Sequence, residues 1–147
     1  MKTYVMLCAL IGAFTGLTGA QAANVVVAPK DRFTLGSVAW GVDGEANTAT
    51  IKVSKLSFNH SGTTGGLKLT LWATTQPYQP GTRGFTIAEV NLGQLKSKEY
   101  YHDLNRVIKL VRPPAGTYYL TLMVLENQTT GFSRQFFVKG TNTFTFP

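Results

Sequence analysis

Residues 112–125, RPPAGTYYLTLMVL, decide the fold of this chain. Pro113 and Pro114 lack a backbone donor, so a strand before them must end, and Gly116 supplies the permissive backbone that a chain reversal often needs. Alternate residues of the strand that follows share a face: Tyr118, Leu120, Leu122 and Val124 on one side, and Tyr119, Thr121, Met123 and Leu125 on the other. Because both faces are largely apolar, the stretch predicts a central strand that is covered on each side.

Before and after this strand, the sequence contains short runs in which apolar and polar residues alternate with a period of two. In residues 67–75, LKLTLWATT, the leucines and Ala73 are predicted to face inward and Trp72 to face the opposite way. Residues 50–58 change phase near Ser54 and Lys55, which indicates a bulge. Eight or nine such runs predict an all-β chain folded as a single antiparallel β-sandwich, immunoglobulin-like or jelly-roll-like, of about 7–9 strands. A small barrel is the alternative.

Five segments carry weaker predictions. Residues 33–42 are predicted to form one strand with a bulge at Gly36. Residues 96–104, KSKEYYHDL, are the one segment that could form a helical turn. Residues 126–131 are predicted to form a polar hairpin turn, after which residues 132–139 and 141–146 would form the last two strands.

The beginning of the chain is typical of a secretory signal peptide. Lys2 forms a short positive region, an apolar run follows, and residues 20–22, Ala-Gln-Ala, match a small-x-small cleavage site. We therefore predict a leader over residues 1–22, a β-sandwich domain over residues 23–147, and a secreted or periplasmic location without a transmembrane segment in the mature chain. The one cysteine, Cys8, lies in the leader, so the mature domain would hold together without disulfides.

The composition indicates an exported β-protein with a mildly basic surface. Charged residues make up 14% of the chain, and the formal net charge is +7. This balance favours anionic partners such as an acidic polysaccharide or a membrane surface, although it also fits plain solubility. No run of basic residues is dense enough to mark a site.

Two segments, GGLKLTLW over residues 65–72 and PAGTYYLTL over residues 114–122, resemble the β-sandwich accessory domains of secreted bacterial proteins. The similarity is to pre-peptidase C-terminal and immunoglobulin-like domains, which often carry such a glycine-threonine-tyrosine turn into their penultimate strands. The resemblance implies an exported, non-catalytic module.

The residues themselves point away from catalysis and cofactors. No serine lies in a nucleophile elbow, and no glycine loop has the lysine and helix that phosphate binding requires. A metal site built from Glu99, His102 and Asp103 is conceivable, but a single histidine with adjacent carboxylates is more often a solvated loop. We predict no enzyme activity, no catalytic residues, no cofactor and no metal.

Exposed aromatic side chains are the best indication of function. Sugar-binding modules stack sugar faces on tyrosine or tryptophan, with nearby polar groups orienting the hydroxyls. The candidate ligand-binding residues are Trp72, Tyr78, Arg83, Tyr100, Tyr101 and His102. They fall in or beside the loops 76–84 and 96–104, whereas Tyr118 and Tyr119 look like core and corner residues.

The sequence favours two functions over a third, an enzyme or enzyme inhibitor, for which it offers no set of residues. The first is a binding or adhesion module whose partner is a polysaccharide or another surface protein; nucleic acid is not expected, because basic and aromatic residues interleave too sparsely. The second is a structural subunit of an extracellular assembly, in which the apolar residues 25–27 before Pro29 add a strand to a neighbouring copy.

Overall fold

The computed structural model describes residues 21–26 and 32–147, which form strands and no helix. This confirms the prediction of an all-β chain with two antiparallel sheets. The nine strands are β1 (Gln21–Val26), β2 (Phe33–Leu35), β3 (Val38–Asp43), β4 (Thr48–Phe58), β5 (Leu67–Thr74), β6 (Phe85–Gly93), β7 (Tyr100–Lys109), β8 (Gly116–Gln128) and β9 (Gly131–Phe146). A helix long and apolar enough to cross a membrane is absent from this part of the chain.

The first sheet, sheet A, is built around β4. One side of β4 pairs with β7 over nearly its whole length. The other side pairs with β3 near its beginning and with β2 near its end. Because β7 has no second partner strand in the described chain, it forms an edge of the sheet.

The second sheet, sheet B, has β8 at its centre, between β5 and β9. β6 pairs with the far side of β5 and forms the edge. The predicted central strand is therefore confirmed. The Tyr118 side chain of β8 is buried, and its hydroxyl donates a 2.8 Å hydrogen bond to the Pro114 carbonyl. This bond fixes the turn that precedes the strand.

β1 joins the two sheets on one side of the sandwich. Gln21 and Ala22 pair with β3 of sheet A, and the residues from Ala23 onward pair with β9 of sheet B. The predicted leader boundary after Ala22 thus falls inside β1. Residues 1–20 of the predicted leader lie outside the described residues.

The core lies between the inner faces of the two sheets. Sheet A contributes Trp40 and Ile51, and sheet B contributes Leu71 and Phe136, all of them fully or almost fully buried. The predicted inward residues of β5 are all buried here. A second, smaller cluster covers the outer face of sheet B, where Tyr78, Met123 and Phe137 pack with Trp72 and Leu125. β8 is consequently covered on both faces, as its sequence predicts.

A part-buried ion pair ties the segment just before β2 to the end of β8. Arg32 donates to both carboxylate oxygens of Glu126, at 3.0 and 3.3 Å, and the guanidinium lies 5.4 Å from the ring centroid of Phe58. The same carboxylate accepts a 2.9 Å hydrogen bond from the backbone of Gly65. Glu126 therefore anchors the loop that follows β4 as well as the segment that precedes β2.

Three predictions about local structure are wrong. Residues 33–42 form two strands, β2 and β3, separated by Gly36 and Ser37. Residues 96–104 contain a turn followed by the first half of β7, because pairing with β4 extends the chain from Tyr100 onward. The C-terminal segment is one 16-residue strand, since residues around Gly140 stay paired; the hairpin turn before it is shortened to Thr129 and Thr130.

Candidate functional site

The candidate site lies on the outer face of sheet A. It follows a line across the sheet at which the alternation of inward and outward side chains shifts by one residue in each neighbouring segment. Along β4, Val53 and Leu56 both face the core, with Ser54 and Lys55 exposed between them. The neighbouring strands carry the same two-residue break, at Gly36–Ser37 on one side and at His102–Asp103 on the other. The predicted phase change is therefore present, but matching breaks in the neighbours replace a one-strand bulge.

Close backbone contacts hold this line in place. The Gly36 N–H donates to the Lys55 carbonyl at 2.8 Å, and the Ser54 N–H donates to the Ser37 carbonyl at 2.9 Å. A Cβ on Gly36 would lie 2.3 Å from the Ser54 hydroxyl, so a larger residue here would force the Ser54 side chain to move. On the far strand, Asp103 has a positive φ of 49°, which non-glycine residues adopt infrequently.

Four side chains point outward beside the phase change, three in the first half of β7 and one in β4. Tyr100 is 53% exposed, and the Lys55 ammonium lies 4.6 Å from its ring centroid. The His102 ring lies 6.0 Å from the same ring. His102 Nδ1 is 3.1 Å from a carboxylate oxygen of Asp103. An aromatic ring, an ammonium, an imidazole and a carboxylate thus share one exposed surface.

A groove of about 340 Å³ runs beside this cluster. Ser54 and Asp103 line it at the phase change, and Lys52 and Asn105 line it one step further along the paired strands. Its polar groups are two serine hydroxyls, a carboxylate, an ammonium and an amide, and the rest of its lining is apolar. These groups can donate to and accept from the hydroxyls of a bound molecule.

Comparison with protein-family models, with curated proteins and with solved structures finds no match for the chain.

Two of the predicted ligand-binding residues lie on the opposite side of the sandwich. Tyr78 is only 5% exposed and packs edge-on against Phe137 on the outer face of sheet B. Its hydroxyl accepts a hydrogen bond from Arg134. Trp72 is half-buried in the same cluster, and its indole Nε1 has no hydrogen-bond partner among the described residues.

The remaining predicted residues divide between three places. Tyr100 and His102 form the exposed cluster on sheet A. Tyr101, between them, points inward, packs against the core and donates a hydrogen bond to the Leu92 carbonyl. Arg83 is exposed in the loop between β5 and β6. The structure therefore brings together two of the six residues and adds neighbours that the sequence did not single out.

The added neighbours are Lys52, Ser54, Lys55 and Asn105. The signal that could have found Ser54 and Lys55 is the phase change itself, because two adjacent polar residues at such a break must both face solvent. Lys52 and Asn105 depend on the pairing of β4 with β7, which is a long-range contact. No cluster of three or more histidine, cysteine, aspartate or glutamate side chains suited to a metal occurs within residues 32–147.

Proposed function

We propose that the protein is an exported, non-catalytic binding or adhesion module that holds a carbohydrate on the outer face of sheet A. The observation that carries the proposal is the exposed ring of Tyr100 beside the Lys55 ammonium and the groove with its hydrogen-bonding side chains. The apolar face of a sugar ring stacks on an aromatic side chain, while its hydroxyls need donors and acceptors close by. Tyr100 would supply the stacking surface, and Ser54, Asp103 and Asn105 the hydrogen bonds.

The fixed geometry of the strands also supports binding at this surface. Tyr100 and His102 lie in a strand that is paired with β4, so their positions do not depend on a mobile loop. Side chains held by regular structure lose less conformational freedom when a ligand binds. Preorganisation of this kind suits a small contact area such as two or three sugar rings.

Replacing Tyr100 by alanine tests the proposal. The purified protein is screened against immobilised neutral and acidic saccharides, and the affinity for the best of them is measured. Tyr100→Ala should weaken binding about tenfold, equivalent to about 1.4 kcal/mol of lost stacking. Binding of no saccharide by the wild-type protein would overturn the proposal.

Phe132 offers a matched control. It is also exposed and also carries a lysine over its ring, with the Lys68 ammonium 3.9 Å from the centroid, but it lies in β9 of sheet B. Phe132→Ala should leave the affinity unchanged. Equal losses from Tyr100→Ala and Phe132→Ala would show that neither ring belongs to a specific site.

A second function, a subunit that assembles by strand exchange, is favoured by the position of β1. The part of this strand that follows the predicted leader, from Ala23 onward, pairs with β9, so its departure would expose a strand edge of sheet B. A β1 strand from a neighbouring copy could then occupy the same place. The proposal is that copies of the chain exchange β1.

Disulfide trapping shows whether β1 pairs with β9 of another copy or with β9 of its own chain. Ala23 and Gly140 are paired across β1 and β9, so a chain carrying Ala23→Cys and Gly140→Cys can form a cross-link between these positions. Exchange predicts disulfide-linked oligomers on a non-reducing gel. Cross-linked monomer alone would overturn it.

A further inference from the structure

A line of three lysines runs along the outer face of sheet A. Ile51 and Val53 are buried, so Lys52 between them points outward, and Lys55 points outward beside Tyr100. Three residues apart on a regular strand, two side chains would lie on opposite faces. The phase change at Ser54 puts both lysines on one face. Lys109 joins them from β7, where it is paired with Thr48.

The spacing of these lysines suits an extended ligand. A strand rises about 3.3 Å per residue, so Lys55 and Lys52 are about 10 Å apart along β4. Lys109 is paired with Thr48, which lies about 13 Å beyond Lys52 along the same strand. The line therefore covers about 23 Å. A compact anion such as phosphate can meet only one of these lysines at a time, whereas a linear polymer can meet all three.

Hydrogen-bonding and apolar side chains alternate with the lysines. On β7, Tyr100 and His102 lie near Lys55, and Asn105 is paired with Lys52. Val107, 69% exposed, follows toward Lys109. A chain of sugar rings would meet an aromatic ring, an amide and an aliphatic surface in turn, each beside a cation.

Few carboxylates oppose this positive line. Asp103 is next to His102 and lines the groove. Asp43, at the end of β3, turns its carboxylate toward the backbone N–H groups of Glu45 and Ala46, and Glu45 is exposed in the same turn. Elsewhere, Glu126 and Glu89 are held by Arg32 and Lys68, and Glu99 accepts a hydrogen bond from the Lys96 backbone.

We propose that the ligand is a linear acidic polysaccharide whose carboxylates, repeated along the chain, meet Lys55, Lys52 and Lys109 in turn. This inference rests on the proposed carbohydrate-binding function and names the class of saccharide. A single-stranded nucleic acid fits less well, because successive bases need successive aromatic platforms, and among the described residues the line of lysines has Tyr100 and His102 at one end and no exposed aromatic ring toward Lys109.

The test compares a polyuronate with the same polymer after its carboxylates have been reduced to alcohols. Binding of the purified full chain is measured by calorimetry at low and high salt. The acidic polymer should bind about tenfold more tightly than the reduced one at low salt, and this advantage should shrink as salt screens the charges. Equal affinity for both polymers would overturn the acidic class while leaving carbohydrate binding intact; binding of neither would overturn both.

Two double variants with the same net charge locate the site. Lys55→Gln with Lys109→Gln should weaken binding of the polyuronate about fivefold to tenfold and flatten its salt dependence. Arg83→Gln with Lys139→Gln, in the β5–β6 loop and in β9, should change neither. Equal effects from the two pairs would show attraction by net charge alone and overturn the site. Tighter binding of single-stranded nucleic acid than of the polyuronate would overturn the polysaccharide.

Discussion

The ring of Tyr78 lies edge-on against the ring of Phe137, with their centroids 4.8 Å apart and the planes at 72°. The contact is made by the β5–β6 loop folding back over the outer face of sheet B. Arg134 donates to the tyrosine hydroxyl, and its guanidinium lies 5.1 Å from the Phe137 ring centroid. A residue that the sequence suggests for ligand binding is thus part of a packed cluster.

Truncation of Tyr78 should therefore destabilise the fold. We expect Tyr78→Ala to lower the free energy of unfolding by about 3 kcal/mol, since it removes a buried ring. Tyr78→Phe keeps the ring and loses only the hydrogen bond from Arg134, at a cost of about 1 kcal/mol. Urea unfolding followed by tryptophan fluorescence measures both.

Tyr100→Ala is the control, because its ring is exposed and its loss should change stability by no more than about 0.5 kcal/mol. Unchanged stability of Tyr78→Ala, together with lost saccharide binding, would return Tyr78 to the ligand-binding residues.

The contrast between Tyr78 and Tyr100 shows how far the sequence predicts the site. Alternation in β5 and β8 predicts which side chains enter the core, because a strand fixes the direction of each side chain by parity. Parity does not show what covers the outer face of a sheet. Tyr78 lies in a loop, where a contact with the distant Phe137 decides its burial.

The same limit explains the error at residues 96–104. The two tyrosines favour a strand but the lysines and Glu99 before them favour a helix, so the sequence of this segment allows a helical turn. Pairing with Leu56 and its neighbours in β4 makes it a strand edge. Tertiary context overrides weak local propensity in such cases. Long-range pairing also placed Lys52 and Asn105 in the groove.

The ion pair of Arg32 with Glu126 should stabilise the fold more than the ion pair of Lys68 with Glu89 in sheet B. The Glu126 side chain is 4% exposed, and its oxygens are occupied by Arg32 and by the Gly65 backbone. We expect Glu126→Gln to lower the free energy of unfolding by about 1–3 kcal/mol, because the part-buried guanidinium loses its charged partner.

Glu89 provides the comparison. Its carboxylate lies 3.0 Å from the Lys68 ammonium but is 44% exposed. Glu89→Gln should cost less than about 1 kcal/mol, as exposed pairs do. Equal effects of the two substitutions in urea unfolding would contradict the anchoring role of Glu126.

Gly65 should tolerate no side chain. A Cβ at this position would lie 1.8 Å from the carbonyl oxygen of Asn127, a backbone atom that cannot move without disturbing the end of β8. Gly65→Ala should destabilise the protein by about 1–3 kcal/mol, the usual cost of overpacking. The midpoint of thermal or urea unfolding reports this change.

The adjacent Gly66 isolates the steric cause. A Cβ there meets nothing closer than the Asn127 Cβ at 3.9 Å. Gly66→Ala should therefore be neutral, or slightly stabilising because alanine lowers the conformational entropy of the unfolded chain. If both alanines had the same effect, close approach of Gly65 to Asn127 would not be the reason that glycine occupies the position.

Tyr101 should make stability fall at alkaline pH. Its hydroxyl donates to the Leu92 carbonyl, and burial, assisted by the negative charge of Glu99, raises the pKa of Tyr101 above its ordinary value of 10.0. The unfolded chain therefore loses this proton first as the pH rises. The stabilisation is complete below that ordinary pKa and is lost as the pH climbs from there through the folded pKa.

Urea unfolding of Tyr101→Phe at neutral pH and at about pH 11 tests the linkage. At neutral pH the variant should be about 1 kcal/mol less stable, because the hydrogen bond to Leu92 is lost. Between the two pH values it should lose less stability than the wild-type protein, since phenylalanine has no proton to release. Tyr100→Phe, which removes a hydroxyl from an exposed side chain on the outer face of sheet A, should keep the wild-type alkaline loss. If Tyr101→Phe also kept it in full, the alkaline sensitivity would have to arise from other groups, and the inward position of Tyr101 would carry no pH dependence.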